Sequence, residues 1–192
     1  MQDSSTRTQI LAAADQLFYE RGFSKTSFAD VAAAVGISRG NFYHHFKSKD
    51  AILQAVIALR RENTRAMLAE WEADGSTPQA RILCYARIVI RNRAKILQYG
   101  CPVGSLTTEL AKLDHALLDD ANGIFTLFRD WLAEQFCALG RRSDAEHLAL
   151  HVLSWSQGVA TLASAFKDAA FMEREVAQFE DWLNHLVSDK HN

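Results

Sequence analysis

Between Ser27 and Asp50 the chain reads SFADVAAAVGISRGNFYHHFKSKD, and its polar residues are the types that read nucleic acid. Arginine offers paired donors to a guanine edge and asparagine matches adenine, while serine, tyrosine, histidine and lysine reach phosphate oxygens. Ser38, Arg39, Gly40 and Asn41 are therefore expected to approach base edges. Ser27, Tyr43, His44 and Lys49 are expected to hold phosphates. The alternative is a polar face that is merely solvated. Two residues weigh against it. An outward Tyr43 exposes apolar area unless a partner covers it, and Lys49 at a helix start opposes the helix dipole unless a phosphate lies between them.

Such residues need short, crossed helices to present them. Phe28, Val31, Ala32 and Val35 recur at helical spacing, and Ser27 with Asp30 has the form of a capping box. Gly36 stands where a left-handed residue ends a helix, and Ile37 fills the tight turn that follows. Ser38 caps the next helix, whose Phe42 and Phe46 share the buried face. The polar set between them is thereby turned outward. Ahead of this pair, Ile10, Leu11, Ala14, Leu17 and Phe18 form the stripe of a first helix with Ser4, Ser5 or Thr6 as its cap and Gly22 as its stop. Phe23 plugs the turn. Arg7 either reaches a phosphate or is solvated.

The same residues resemble the TetR-type (TetR/AcrR) bacterial transcriptional regulators. In that family T-x-x-D-I-A-x-x-x-G-V-S-x-G-x-x-Y-x-H-F-x-x-K-x-x-L spans the helix-turn-helix and the start of the fourth helix. Here it stands as Ser27, Asp30, Val31, Ala32, Gly36, Ile37, Ser38, Gly40, Tyr43, His45, Phe46, Lys49 and Leu53. The resemblance covers about the first quarter of the chain. It implies an all-α fold of about nine helices, with a three-helix DNA-binding domain at 1–50 and a larger helical domain for ligand binding and dimerisation at 51–192. It further implies a regulator, a repressor of transcription rather than an enzyme, that needs no cofactor.

At 192 residues, with two prolines and nine glycines, the chain has the length for one small and one medium helical domain. No apolar run approaches a membrane span and no signal-peptide core opens the sequence, so a cytoplasmic location is expected. Three cysteines, Cys84, Cys101 and Cys137, form neither a disulfide framework nor a metal-like spacing. The net charge of −2 is unevenly spread. Residues 1–100 carry 14 Lys and Arg against 9 Asp and Glu, and residues 101–192 carry 7 against 14, giving +5 and −7. The basic half holds the DNA-reading segment, although much of its excess lies beyond the motif.

From Ala51 to about Gly75 an apolar pattern runs long enough for a helix of about 30 Å or more, the natural transmission element between head and body. Gly75-Ser76-Thr77-Pro78 breaks and restarts the chain, with Thr77 as cap and Pro78 at the first helical position of a helix to about Gln98. Arg87, Arg91 and Lys95 share a face there, either solvated or lining a cavity for an anionic ligand. Tyr99 to Gly104 reads as a bend, after which Ser105 caps a short helix from Leu106 to Lys112. Cys101 precedes that helix, where a thiolate is stabilised. Its GC-x-x-G setting resembles the subgroup of the family that senses electrophiles or oxidants; packing of a pocket or joint is the alternative. A helix over 114–139 carries Phe125 and Phe128, and in the family this region encloses a small-molecule inducer.

Two last helices, from Ser143 to Lys167 and from Met172 to Ser188, suit a four-helix bundle with a second copy. Trp155, Val159, Leu162, Phe179, Trp182, Leu183 and Leu186 are its expected contacts, and such a homodimer matches a palindromic operator. His147 and His151 with Asp144 have the spacing of a two-histidine metal site, without a third firm ligand. A helical metal-dependent enzyme is thus one rival reading, and a protein-binding adaptor another. Nothing in the sequence joins a nucleophile, a base and an oxyanion donor.

Overall fold

A computed structural model describes residues 2–75 and 77–188, with side chains from Thr6 onward; Ser76 and the side chains of Ser4 and Ser5 lie outside that description. Eleven helical segments follow one another: α1 (Gln2–Arg21), α2 (Phe28–Val35), α3 (Arg39–His45), α4 (Lys49–Asp74), α5 (Pro78–Ala86), α6 (Ile88–Arg91), α7 (Arg93–Tyr99), α8 (Pro102–Lys112), α9 (Leu118–Ala138), α10 (Ala145–Phe166) and α11 (Ala169–Ser188). No strand occurs among the described residues.

Segments α5, α6 and α7 are one rod. The i to i−4 ladder runs on through Arg87 N–H to Leu83, Asn92 N–H to Ile88 and Ile96 N–H to Asn92. The segments meet at Arg87, with ψ −6°, and at Asn92, with φ −101° and ψ 12°, where the Asn92 side chain donates to the Ile88 carbonyl at 3.1 Å. Counted so, the described residues form nine helices, the all-α fold expected from the sequence.

Several boundaries differ from expectation. Helix α1 already runs from Gln2, so Thr6 lies inside it and is not its cap. Helix α8 begins at Pro102, not after Ser105. Proline needs no N–H partner at a first helical position, so the residue that reads as a breaker is a starter, and Gly104 and Ser105 lie within the helix. The helix expected from residue 114 begins at Leu118, because Asp114 adopts a left-handed φ of 48° and the chain turns. The final helix starts at Ala169, ahead of Met172, behind an Asp168 carboxylate that accepts the Phe171 N–H.

The sequence suggests a division of roles at residue 50, whereas packing groups the chain differently. One compact unit comprises residues 1–63 and 102–124; the other comprises 64–101 and 125–192. The first is built on Ile10, Ala14, Phe18, Phe23, Val31, Phe42, Phe46, Leu53, Val56 and Ile57, closed by Leu106 and Leu110 from α8. The second contains the cluster of Val89, Ile96, Val159, Ala163, Met172 and Val176. It also holds Trp71 beside Trp131 and Tyr85 edge-on to Phe128.

Candidate nucleic-acid interface

The reading head is assembled from local rules. Ser27 and Asp30 close a capping box: the Asp30 carboxylate accepts the Ser27 N–H at 2.8 Å, and Ser27 Oγ accepts the Asp30 N–H at 3.2 Å. The Ser27 hydroxyl, then its backbone N–H, hold the Asp30 carboxyl below its ordinary pKa. At the other end Gly36 takes φ 72°, a conformation that would strain any side chain, and the Gly36 and Ile37 N–H groups return to the Ala33 and Ala32 carbonyls. Ser38 then caps α3 by accepting the Asn41 N–H at 3.3 Å.

With both helices fixed, Phe42 and Phe46 are buried, and Phe42 lies edge-on to Phe28. The remainder of α3 faces outward as its period requires. Ser38, Arg39, Gly40, Asn41, Tyr43 and His44 are all exposed, and Ser27 is exposed at the start of α2. Space beyond Gly40 is open, with no atom within 4 Å of where a Cβ would stand. Tyr43 is 45% exposed, its ring leaning on Phe28 at 5.2 Å. Arg7, read as phosphate-binding or solvated, lies with its guanidinium 4.8 Å over the Phe46 ring.

Lys49 differs from its neighbours. Its ammonium sits 4.2 Å over the Phe23 ring and donates to the Ser24 carbonyl at 3.3 Å. Partial burial lowers its pKa despite the nearby Glu109 and Asp50 carboxylates. The side chain is turned to the α1–α2 turn of its own chain. Lys47, absent from the sequence reading, donates to the Tyr43 carbonyl at 2.7 Å and bridges the last turn of α3.

The residues expected around a ligand do not come together as one lining. Arg87 is exposed and bonded to Glu180 at 3.0 Å, and Arg91 is exposed. Their face of the rod is charged and exposed, and the rod's apolar residues Ile82, Tyr85, Val89 and Ile96 take the inner side. Phe128 is buried against Tyr85 and Phe125 is half-buried. Cys101, also half-buried, packs on the Val89, Val159 and Met172 cluster. Tyr85 donates or accepts with Ser156 at 2.9 Å, and burial, opposed by that bond and aided by Cys101, raises its pKa well above the ordinary phenol range. An open groove of about 640 Å³ lies elsewhere, along Glu134, Cys137, Arg142, Asp144, Glu146 and His147.

Of the residues expected at a subunit contact, Val159, Phe179 and Leu183 are buried within the chain itself, so their role there is corrected: they are core. Trp155, Trp182 and Leu186 are half-buried, with Trp155 stacked on Phe179 at 4.4 Å. Leu162, also expected there, lies on the outward face of α10 at 45% exposure, together with Leu150 at 54% and Phe166 at 75%. The positions 147, 150, 151, 154, 158, 161, 162 and 165 are all exposed and follow one helical face, a period that could have found Leu150 from sequence. Asp144 is paired with Arg141 and His151 packs on Trp182. Among the described residues no cluster of three His, Cys, Asp or Glu is placed to hold a metal.

A capped helix-turn-helix with an outward Arg, Asn, Tyr and His face, on an all-helical chain, defines a DNA-binding regulator. Residues 10–56 match the family model for bacterial regulatory proteins of the tetR family, and residues 82–178 match that for the LmrA/YxaF-like transcriptional regulator C-terminal domain. The chain belongs to the TetR family of DNA-binding transcriptional regulators, which are not enzymes. It is 28% identical over 177 residues to an uncharacterised HTH-type transcriptional regulator in the lacX 3′ region of Lactococcus lactis, covering 88% of each chain. It is 29% identical over 165 residues to the HTH-type transcriptional regulator TtgR of Pseudomonas putida, covering 80% of this chain and 78% of TtgR. A TetR-family regulator from Agrobacterium tumefaciens has the same fold, with TM-score 0.83, 23% identity and coverage of 93% and 97% of the two chains.

Proposed function

We propose that two copies of this chain form a homodimer that binds a palindromic DNA operator and represses transcription. Release follows when a small-molecule inducer, or modification of Cys101, changes the larger helical unit. The observation that carries the reading is the outward polar face of α3 on helices whose ends are all capped. Ser38, Arg39, Gly40 and Asn41 approach base edges, while Ser27, Tyr43 and His44 meet phosphates. Lys49 donates to the Ser24 carbonyl, so its first role is in the head, and its remaining N–H groups are left for a phosphate. The exposed apolar face of α10 supports the dimer, with Leu150 and Phe166 joining Trp155, Leu162, Trp182 and Leu186. Such a regulator works in the cytoplasm, and no described helix is long and apolar enough to cross a membrane.

The half-buried thiol of Cys101 lies two residues into the joint between α7 and α8, close to the buried Tyr85, whose ring meets Phe128 on the apolar side where an inducer would act. Purified protein mixed with DNA from its own upstream region should give a retarded band at sub-micromolar concentration. Its log affinity should fall with log salt by roughly 0.9 for each phosphate neutralised. N-Ethylmaleimide should release the DNA from wild type and not from Cys101→Ser. The absence of any salt-sensitive band from folded protein defeats the operator reading; equal release from Cys101→Ser defeats only the cysteine arm.

A further inference from the structure

Glu109 belongs to α8, yet its carboxylate is directed at the turn between α1 and α2. One oxygen accepts the Phe23 N–H at 2.8 Å; the other accepts the Ser24 N–H at 2.9 Å and the Ser24 hydroxyl. The fit is close enough that a Cβ on Gly22 would stand 3.1 Å from both oxygens. Lys49 completes the site from α4 by donating to the Ser24 carbonyl and covering the Phe23 ring. Burial raises the Glu109 pKa, but the Ser24 hydroxyl, the two N–H groups and Lys49 outweigh it, and the carboxyl is held below its ordinary value.

The turn so gripped leads directly into the cap of α2. Phe23 is buried, and Thr26, also buried, donates its hydroxyl to the Gly22 carbonyl at 2.8 Å immediately before the cap of α2. His115, just past α8, sets its ring edge-on to Phe23 at 5.2 Å. Its Nδ1 accepts the Leu117 N–H, which leaves Nε2 to donate toward Asp50 at 3.4 Å. The first residue of α8 is tied as well: the Pro102 carbonyl accepts from Arg60 at 2.7 Å, and Arg60 holds Asp15 of α1 at 2.6 Å. The chain enters α8 directly from Gly100 and Cys101.

We propose that Glu109 is a positioning residue for operator binding, a carboxylate latch by which α8 fixes the α1–α2 turn and through it the placing of α2 and α3. The proposal rests on the operator reading above and adds to it the contact through which a shift of α8 reaches the head. Glu109→Gln keeps the shape but turns an amide NH2 toward a donor and removes the charge facing Lys49. Ser24→Ala removes only the hydroxyl arm at an exposed position and leaves the fold intact.

The test compares wild type, Glu109→Gln, Ser24→Ala and the double variant on the upstream DNA over a salt series, together with amide hydrogen exchange. Glu109→Gln should weaken binding by about tenfold, the worth of hydrogen bonds to a charged group, and Ser24→Ala by about threefold. The double variant should resemble Glu109→Gln alone, since both act through one contact. The salt slope should stay at the wild-type value because no phosphate contact is lost. Exchange should quicken in residues 22–46 and stay unchanged in α10 and α11. Binding within twofold of wild type, an altered salt slope, or a uniform quickening along the chain would each overturn the latch. If wild type itself gives no band, the operator reading fails; exchange then decides, and quickening confined to residues 22–46 keeps Glu109 as the residue that positions α2 and α3.

Discussion

Helix α3 and helix α10 each leave one face without cover, and the chemistry of the two faces differs. On α3 the uncovered residues are Arg39, Asn41, Tyr43 and His44; on α10 they are Leu150, Leu162 and Phe166, interleaved with Ser154, Gly158 and Ala165. A donor-rich polar face suits a charged, hydrogen-bonding partner. An apolar face with small residues between suits another protein helix, which can approach closely where no atom lies beyond Gly158. The lesson is that the type of residue left outside, not the amount, indicates what should come to cover it.

The largest effect is expected from charging the apolar face of α10. Leu162→Glu with Phe166→Glu should yield a folded monomer by sedimentation, because both side chains are exposed in the single chain and carry none of its core. Affinity for the upstream DNA should fall by roughly 10²–10⁴-fold, since the second half-site is no longer held at high effective concentration. A dimer that survives both glutamates would remove α10 from the interface. A monomer that still binds with wild-type affinity would remove the link between the two faces.

A smaller and complementary effect is expected on α3. Asn41→Ala should leave the sedimentation coefficient unchanged and cost about 1–3 kcal/mol of operator binding, with relaxed preference at one base position, as loss of a base-edge contact does. The side chain is exposed and only its N–H serves the Ser38 cap, so alanine preserves the helix start. Uniform weakening across DNA sequences would instead assign Asn41 to the phosphates.

The two faces were unequally legible in the sequence, for a physical reason. Around α2 and α3 the signals act over three or four residues: Ser27 with Asp30, the left-handed Gly36, Ser38 with the Asn41 N–H. Each fixes backbone geometry wherever it occurs, so the outward set follows by helical period. In α10 and α11 nothing local says whether an apolar residue is covered by its own chain or by a copy. Val159, Phe179 and Leu183 therefore read as contacts and are core, while Leu150 was passed over and is exposed. Pro102 misled in another way, since its ring forbids a helix interior and favours a helix start, and only the fold distinguishes the two. Glu109 carried no signal at all: its partners lie more than eighty residues back in the chain, at Phe23 and Ser24.

The α5–α7 rod differs from both, because two of its arginines are paired within the chain. Arg87 bonds Glu180 and Arg93 bonds Glu173, the first pair with side chains 52% and 38% exposed. Water still reaches both partners, so each pair gains little from contact and loses side-chain freedom in making it. Arg87→Ala should accordingly lower stability by about 0.2–1 kcal/mol in denaturant titration, leave the dimer intact and change operator affinity by less than about twofold, for it touches neither uncovered face. The informative outcome is the remaining one. If Arg87→Ala binds DNA normally but no longer releases it to an anionic inducer, the guanidinium must leave Glu180 in the liganded state, and this exposed face is part of the ligand site.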